Sequence, residues 1–171
     1  MLTGRAVEYF HLSYNPFIHG GIAIIAFLYY QDSLELTNNI IERPTRSTIS
    51  TFYGIYLSTG NTNALIQQNR VRNMCGGDPT SSAAVYGIYG LATSTVGNEN
   101  KFYNNLISNF SGNGTMYAMY LTGQYMQVYH NTIAVDNAAA TGTGIVRGIW
   151  ASGTVGIDIK NNNISITQGG T

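Results

Sequence analysis

The chain has 171 residues and no formal net charge, with 8 Lys or Arg against 8 Asp or Glu, and only 9% of its residues are charged. So few charges exclude a nucleic-acid binder, which needs a basic face to displace counterions from phosphate. They also exclude a binder of anionic membrane surfaces and a charge-laced coiled coil. Hydrophobic residues reach 44% and aromatics 12%, enough for a sizeable core and too much for intrinsic disorder. The 20 Gly and 18 Asn favour turns, and the 13 Tyr favour strands. Cys75 is the one cysteine, so no intramolecular disulfide forms; by itself it says little about compartment.

In chain order, the first recognisable unit is Phe10, Leu12, Asn15, Phe17, which reads apolar, any, apolar, two of any, Asn, any, apolar. The apolar window Phe17 to Tyr30 follows. Its 14 residues are too few to span a bilayer. It lacks the basic leader and small-residue cleavage site of a signal peptide, and the repeat accounts for it better. Within it lies a second motif, Gly21-Ile22-Ala23-Ile24. The two motifs then alternate: Leu34, Leu36, Asn39, Ile41; Gly54-Ile55-Tyr56-Leu57; Ala64, Ile66, Asn69, Val71; Gly87-Ile88-Tyr89-Gly90. Asn100, Phe102, Asn105, Ile107 departs at its first position and is followed by Ala118-Met119-Tyr120-Leu121. Met126, Val128, Asn131, Ile133, then Gly148-Ile149-Trp150-Ala151, then Ile157, Ile159, Asn162, Ile164 complete the series.

The asparagines are 24, 30, 36, 26 and 31 residues apart, while the Gly-Ile motifs are 33, 33, 31 and 30 apart. Fixed motifs with drifting connectors are the mark of a solenoid that takes insertions on its loops. Pro44 and Pro79 fall in connectors and Pro16 follows an Asn corner, so none interrupts a strand interior. Each period therefore predicts a Gly-Ile strand, a connection, an alternating apolar strand, an Asn corner and a short third strand, all with period-2 alternation. Each strand hydrogen-bonds to its equivalent one period on. Asparagine suits the corner because it tolerates left-handed backbone and because its amide both donates to and accepts from the next one. The expected fold is all-β, a right-handed parallel β-helix of about six three-stranded coils, forming a single domain over residues 1–171.

These residues resemble the right-handed parallel β-helices of the pectate-lyase-like superfamily, with an asparagine ladder of Asn15, Asn39, Asn69, Asn105, Asn131 and Asn162. The resemblance covers Phe10 to Ile164. It implies this fold, and it is compatible with polysaccharide lyases, glycoside hydrolases, tailspike-like proteins and bacterial surface proteins. It further implies that a substrate would lie along the first-strand face.

With Ile22, Ile55, Ile88, Met119 and Ile149 inward, that face presents Ala23, Tyr56, Tyr89, Tyr120 and Trp150. The column of Gly54, Gly87, Ala118 and Gly148 beside it is expected to leave a shallow trough. Flat rings along a trough are a glycan-binding candidate: Tyr56, Tyr89, Tyr120 and Trp150. The competing reading is a structural ladder, a role also expected for Tyr53, Tyr86 and Tyr117 at the strand edge.

No catalytic residues are assigned. Glu35 and Asp158 share a column four coils apart, and Asp32 with Glu35 or Asp78 with Glu99 are the candidate carboxylate pairs for a glycosidase. A lyase resembling this family would want clustered acids for calcium and a basic residue nearby. Arg147 alone sits beside the aromatic column. His11, His19 and His130 lack metal spacing, so neither a metal nor a cofactor is expected. His11 and Glu35 are expected at equivalent positions of adjacent coils. Arg43, Arg46, Arg70 and Arg72 gather near one corner as solvated edge protection. Cys75 in its Gly-Gly loop is expected to be inert. Asn109, Asn113 and Asn163 begin glycosylation sequons that matter only in a eukaryotic secretory host. Threonines form no regular array of the ice-binding kind.

The functional expectation is a noncatalytic extracellular β-helix segment, carbohydrate-binding or structural at the cell surface. The alternative is a polysaccharide lyase or glycoside hydrolase with an incomplete or loop-borne site. Partners are then a polysaccharide or glycan, with no nucleic acid and no membrane insertion. Neither end shows a capping element, so the chain reads as part of a longer solenoid or one that associates end to end. A secreted or cell-surface location follows.

Overall fold

The structure is a computed structural model that describes residues 10–13, 23–28, 30–45, 51–138, 140–153 and 155–169, with side chains from residue 30 onward. Asn15, His19, Gly21, Ile22 and Arg46 lie outside the described residues. Among the described residues sixteen strands form three parallel sheets, and every described element is β. The leading sheet holds β2 (Ala23–Leu28), β5 (Phe52–Leu57), β8 (Val85–Gly90), β11 (Met116–Leu121) and β14 (Val146–Ala151). The middle sheet holds β1 (Phe10–Ser13), β3 (Leu34–Thr37), β6 (Leu65–Gln67), β9 (Asn100–Tyr103), β12 (Met126–Tyr129) and β15 (Ile157–Lys160). The trailing sheet holds β4 (Ile40–Glu42), β7 (Arg70–Arg72), β10 (Leu106–Ser108), β13 (Thr132–Asn137) and β16 (Asn163–Gln168). The chain runs leading, middle, trailing and repeats, so consecutive turns lie side by side as a parallel β-solenoid. Among the described residues five turns carry all three strands, slightly fewer than the six expected.

The interior is three apolar ladders in the predicted register. Leu36, Ile66, Phe102, Val128 and Ile159 run along the middle sheet. Ile41, Val71, Ile107, Ile133 and Ile164 run along the trailing sheet, and Ile55, Ile88, Met119 and Ile149 along the leading one. Most are fully buried, and like-on-like stacking at the strand spacing fills the lumen.

Two expectations about the leading sheet are corrected. The first Gly-Ile copy is shifted, because Ala23 pairs with Tyr53 and Ile25 with Ile55, so Ala23 does not belong to the Tyr56 column. The alternation also breaks. β5, β8 and β11 each run buried, half-exposed, buried, buried, half-exposed, buried. Two successive residues face inward, so Gly54 and Gly87 are interior and no outer trough exists. A Cβ on Gly54 would lie 2.5 Å from the Gly87 carbonyl oxygen and 2.7 Å from Val71 Cγ1 of the trailing sheet. Close approach of two sheets, not a ligand, explains these glycines.

The ladder asparagines do not themselves take the left-handed conformation that their corner predicts. The left-handed residues are Asn38, Gln68, Asn104, His130 and Asn161, at φ 53 to 58°. Each immediately precedes a ladder asparagine. The ladder residues themselves serve by hydrogen bonding alone.

Candidate functional site

The break in alternation puts Tyr53 and Tyr56 on the same outer face, three residues apart, and does the same in the next two turns. Two columns of rings result. Tyr53 stacks on Tyr86 at 5.0 Å between centroids and Tyr86 on Tyr117 at 5.3 Å, the latter pair 1° from parallel. Beside them Tyr56, Tyr89 and Tyr120 follow at 5.0 and 4.9 Å, and Trp150 stacks on Tyr120 at 6.5 Å. Edge-on contacts knit the columns together, as between Tyr86 and Tyr89 at 5.0 Å and 88°. The ring spacing follows the strand spacing, so the backbone holds the rings near their preferred separation. The sequence reading found the Tyr56, Tyr89, Tyr120, Trp150 column. It placed Tyr53, Tyr86 and Tyr117 at an edge, whereas they form an equal second column.

Arg147 closes the array. Its Nη1 donates to the Tyr117 hydroxyl at 3.1 Å, and its guanidinium lies 4.2 Å from the Trp150 ring centroid. Burial raises the Tyr86 phenol above its ordinary pKa and pushes Tyr89 up to about 12, with neighbouring phenols adding to both. Tyr86 and Tyr89 therefore stay un-ionised at neutral pH.

The ladder is continuous over Asn39, Asn69, Asn105, Asn131 and Asn162. Asn69 gives both its backbone N–H and its Nδ2 to Asn105 Oδ1 at 3.1 Å. The remaining Nδ2 hydrogen goes to a carbonyl of the preceding turn, Leu36 for Asn69 and Ile66 for Asn105, both at 2.9 Å. Two further polar devices escaped the sequence reading. Asn100, the departure from the motif, is fully buried: its Oδ1 accepts from the Ala64 N–H at 3.0 Å, and its Nδ2 donates to the Asn61 carbonyl at 3.2 Å. Asn137 clasps Gly112 through both amide atoms, at 3.1 and 2.8 Å, and also donates to Gln168. Asn100 sits at the first apolar position of the motif, which is the signal that marks it.

The candidate acids each bind a different partner. Asp78 accepts from the N–H and hydroxyl of Thr80. Glu99 accepts from the Gly97 N–H, which holds its carboxyl below the usual range. Asp32 takes the Thr62 hydroxyl at 2.9 Å, whereas Glu35 lines a groove of about 430 Å³ with Ser33, Asn63, Leu65 and Lys101. Glu35 and Asp158 do share a column four turns apart, through Leu65, Lys101 and Gln127. Asp158 binds Lys160 and the Tyr129 hydroxyl, each at 2.6 Å, and these lower its pKa in that order. Tyr103 stacks on Tyr129 at 5.2 Å and donates to Gln127, making a smaller aromatic pair outside the middle sheet. The register pairs His11 with Glu35 as expected. His130 is exposed, its ring edge-on to Tyr129. Among the described residues no group of three His, Cys, Asp or Glu side chains is placed to hold a metal ion.

The arginines are not one solvated cluster. Arg43 is 3% exposed and lies over the Phe52 ring at 4.2 Å. Arg72 pairs with Glu42 at 2.8 Å. Arg70 is exposed on the outer face of the trailing sheet, in register between Ile40 and Leu106. Cys75 is fully buried, and desolvation raises its thiol to about 11 despite the opposing field of Arg43. Of the sequon residues, Asn109 and Asn163 are exposed, while Asn113 binds the Thr141 and Gly142 N–H groups.

This architecture defines the class of the protein as a parallel β-solenoid of the β-helix kind. Compared with protein-family models, curated proteins and solved structures, the chain matches none. No helix among the described residues is long and apolar enough to cross a membrane.

Proposed function

We propose that this chain is a noncatalytic structural segment of an extracellular, cell-surface β-helix of the pectate-lyase-like kind. The observation that carries this reading is the use of the tyrosine faces. Along Tyr53, Tyr86 and Tyr117, and from Tyr89 to Tyr120, the ring faces are turned to one another at 4.9 to 5.3 Å, with Tyr56 tilted by 43° on Tyr89, a stacking that stiffens a rod and leaves chiefly edges and hydroxyls outward.

A second reading, carbohydrate binding by Tyr56, Tyr89, Tyr120 and Trp150, draws on their half-exposure and on the row of phenol hydroxyls. A sugar chain would then meet edges and hydroxyls in place of open faces. Trp150 is the sole tryptophan and ends the column, so its fluorescence reports on both readings. Titration with neutral and acidic oligosaccharides should leave it unchanged if the array is structural. A saturable shift abolished by Tyr120→Ala would replace that reading with the glycan-binding one.

The lyase or hydrolase alternative draws on the candidate pairs Asp32 with Glu35 and Asp78 with Glu99, the latter two on connectors. Release of reducing or unsaturated sugar ends, lost in Asp78→Ala or Glu99→Ala, would establish it. End-to-end association belongs to the structural reading. Ile159, Ile164 and Ile166 of the last turn are 39 to 45% exposed, whereas Val128, Ile133 and Val135 one turn before are at most 2% exposed. Light scattering across a concentration series should show self-association that Ile164→Lys abolishes.

A further inference from the structure

We infer that the tyrosine face binds an elongated, planar aromatic carboxylate, laid along the rod with its acid end at Arg147. This adds a ligand to the stacked array and holds whether or not the chain is a cell-surface scaffold.

The arrangement of the rings is the first observation. Tyr86 and Tyr117 are 1° from parallel and Tyr89 and Tyr120 7°, whereas Tyr86 meets Tyr89 at 88° and Tyr117 meets Tyr120 at 82°. In this stretch the rings are parallel within a column and perpendicular across, so their faces are occupied by one another. They present outward chiefly C–H edges and hydroxyls, the positive side of the ring quadrupole. Its complement is the negative face of another π-system. A sugar would need the open ring faces that this array lacks.

The second observation is charge. Arg147 pairs in register with Tyr117 and so takes the place of a ring in the Tyr53 column. It is half-buried, and among the described residues it donates one hydrogen bond, to the Tyr117 hydroxyl, and makes no ion pair. The rest of its five-donor fork matches a carboxylate. The smaller pair of Tyr103 and Tyr129 is the contrast, because there Asp158 already holds both Lys160 and the Tyr129 hydroxyl.

Size is the third. Four turns at about 4.8 Å, two columns wide, give a footprint on the order of 200 Å². That falls well short of the roughly 800 Å² per partner that a stable protein interface buries. It matches a small flat ligand. Three fused rings reach from Arg147 back over two turns, on the order of 10 Å.

The test follows the fluorescence anisotropy of anthracene-2-carboxylate as the full chain is added, with amide chemical shifts to locate the site. Binding should saturate, with shifts centred on residues 117, 120, 147 and 150. The neutral carboxamide of the probe should bind about tenfold more weakly, and Arg147→Gln should weaken the acid by a similar factor. The perhydrogenated acid keeps the charge and lacks the π faces, so it should bind about three- to tenfold more weakly. Both analogues test these contacts on the unaltered chain, so the inference stays falsifiable if the variant does not fold. Absence of saturable binding overturns it. So does equal binding of the carboxamide, or of the perhydrogenated acid, which marks an unspecific apolar patch. Binding untouched by Arg147→Gln and lost with Ile164→Lys belongs to the exposed last turn and overturns it as well. The scaffold reading stands or falls separately, on the oligosaccharide titration.

Discussion

Asn105 places its Nδ2 3.0 Å and its backbone N–H 2.9 Å from one atom, Asn131 Oδ1. The oxygens of Asn69, Asn105, Asn131 and Asn162 each hold two donors of the preceding turn in this way, and the first three asparagines are buried. The link is between turns and not within one, so the ladder contributes to the cohesion of the rod as a whole.

Asn105→Ala should therefore cost more than one hydrogen bond. It strands the Asn69 N–H and one of the two Asn69 Nδ2 hydrogens and takes a donor from the Ile66 carbonyl, all inside the corner. A loss of about 3 kcal/mol or more is expected. Asn162→Ala, in the more exposed last turn, should cost about 1 kcal/mol. Urea denaturation of the two variants measures the difference, and equal losses would contradict the buried-ladder account.

Gly87 and Gly97 should respond differently to alanine. A Cβ at Gly87 would meet the Ala118 carbonyl oxygen at 2.5 Å and Phe110 Cζ at 2.9 Å, so Gly87→Ala should cost about 1–3 kcal/mol by overpacking. Gly97 has open space around it and φ 83°, so Gly97→Ala carries only backbone strain, about 1 kcal/mol. Pairing Gly87→Ala with Phe110→Leu, which removes the Cζ that the new Cβ would meet, should cost less than the sum of the two single losses.

Tyr89 lies between Tyr56 and Tyr120 and edge-on to Tyr53 and Tyr86. Tyr89→Ala should lose about 3 kcal/mol and Tyr89→Phe less than about 1 kcal/mol, because the stacking resides in the ring. Thermal denaturation separates them. A large loss in the Phe variant would give the hydroxyl the structural role.

The phenols also set a pH limit. The Tyr89 pKa is raised to about 12 in the folded state, above the ordinary 10, so the unfolded chain releases this proton first as pH rises. Its contribution is fully present below pH 10 and is lost as pH climbs towards 12. Tyr86 is shifted in the same direction. The thermal midpoint should hold steady up to about pH 10 and fall above it, less steeply in Tyr89→Phe.

Cys75 should be unreactive while the chain is folded. Its thiol is fully buried and raised to about 11, so at pH 8 little thiolate exists and none is accessible. Labelling by a thiol-reactive dye should be slow in buffer and prompt in denaturant. Rapid labelling of the folded chain would mean that the connector around Cys75 opens.

The repeat was legible because it is a chemical necessity at each turn. An apolar residue must face the lumen, and an asparagine must bridge each corner, so spacing alone gave the ladder from Asn39 to Asn162 and the order of strands. The left-handed residue before each asparagine was less visible. Asn, Gln and His share that position, and only the backbone dihedrals single it out. Asn100 looked like a flaw in the fourth copy until its partners appeared across the turn.

The tyrosine face marks the same boundary. Sequence alone determined that Tyr56, Tyr89, Tyr120 and Trp150 form one outward column, because identical motifs at equal spacing must stack. Only the tertiary structure decided that Tyr53, Tyr86 and Tyr117 stand beside them and that the glycines lie inside. That depends on how closely the leading and trailing sheets approach. Gly54 faces Val71 at a distance that admits no Cβ, and the two inward residues this packing accommodates turn both tyrosines outward. A strand pattern read with period 2 contains no information about the sheet on the far side of the lumen.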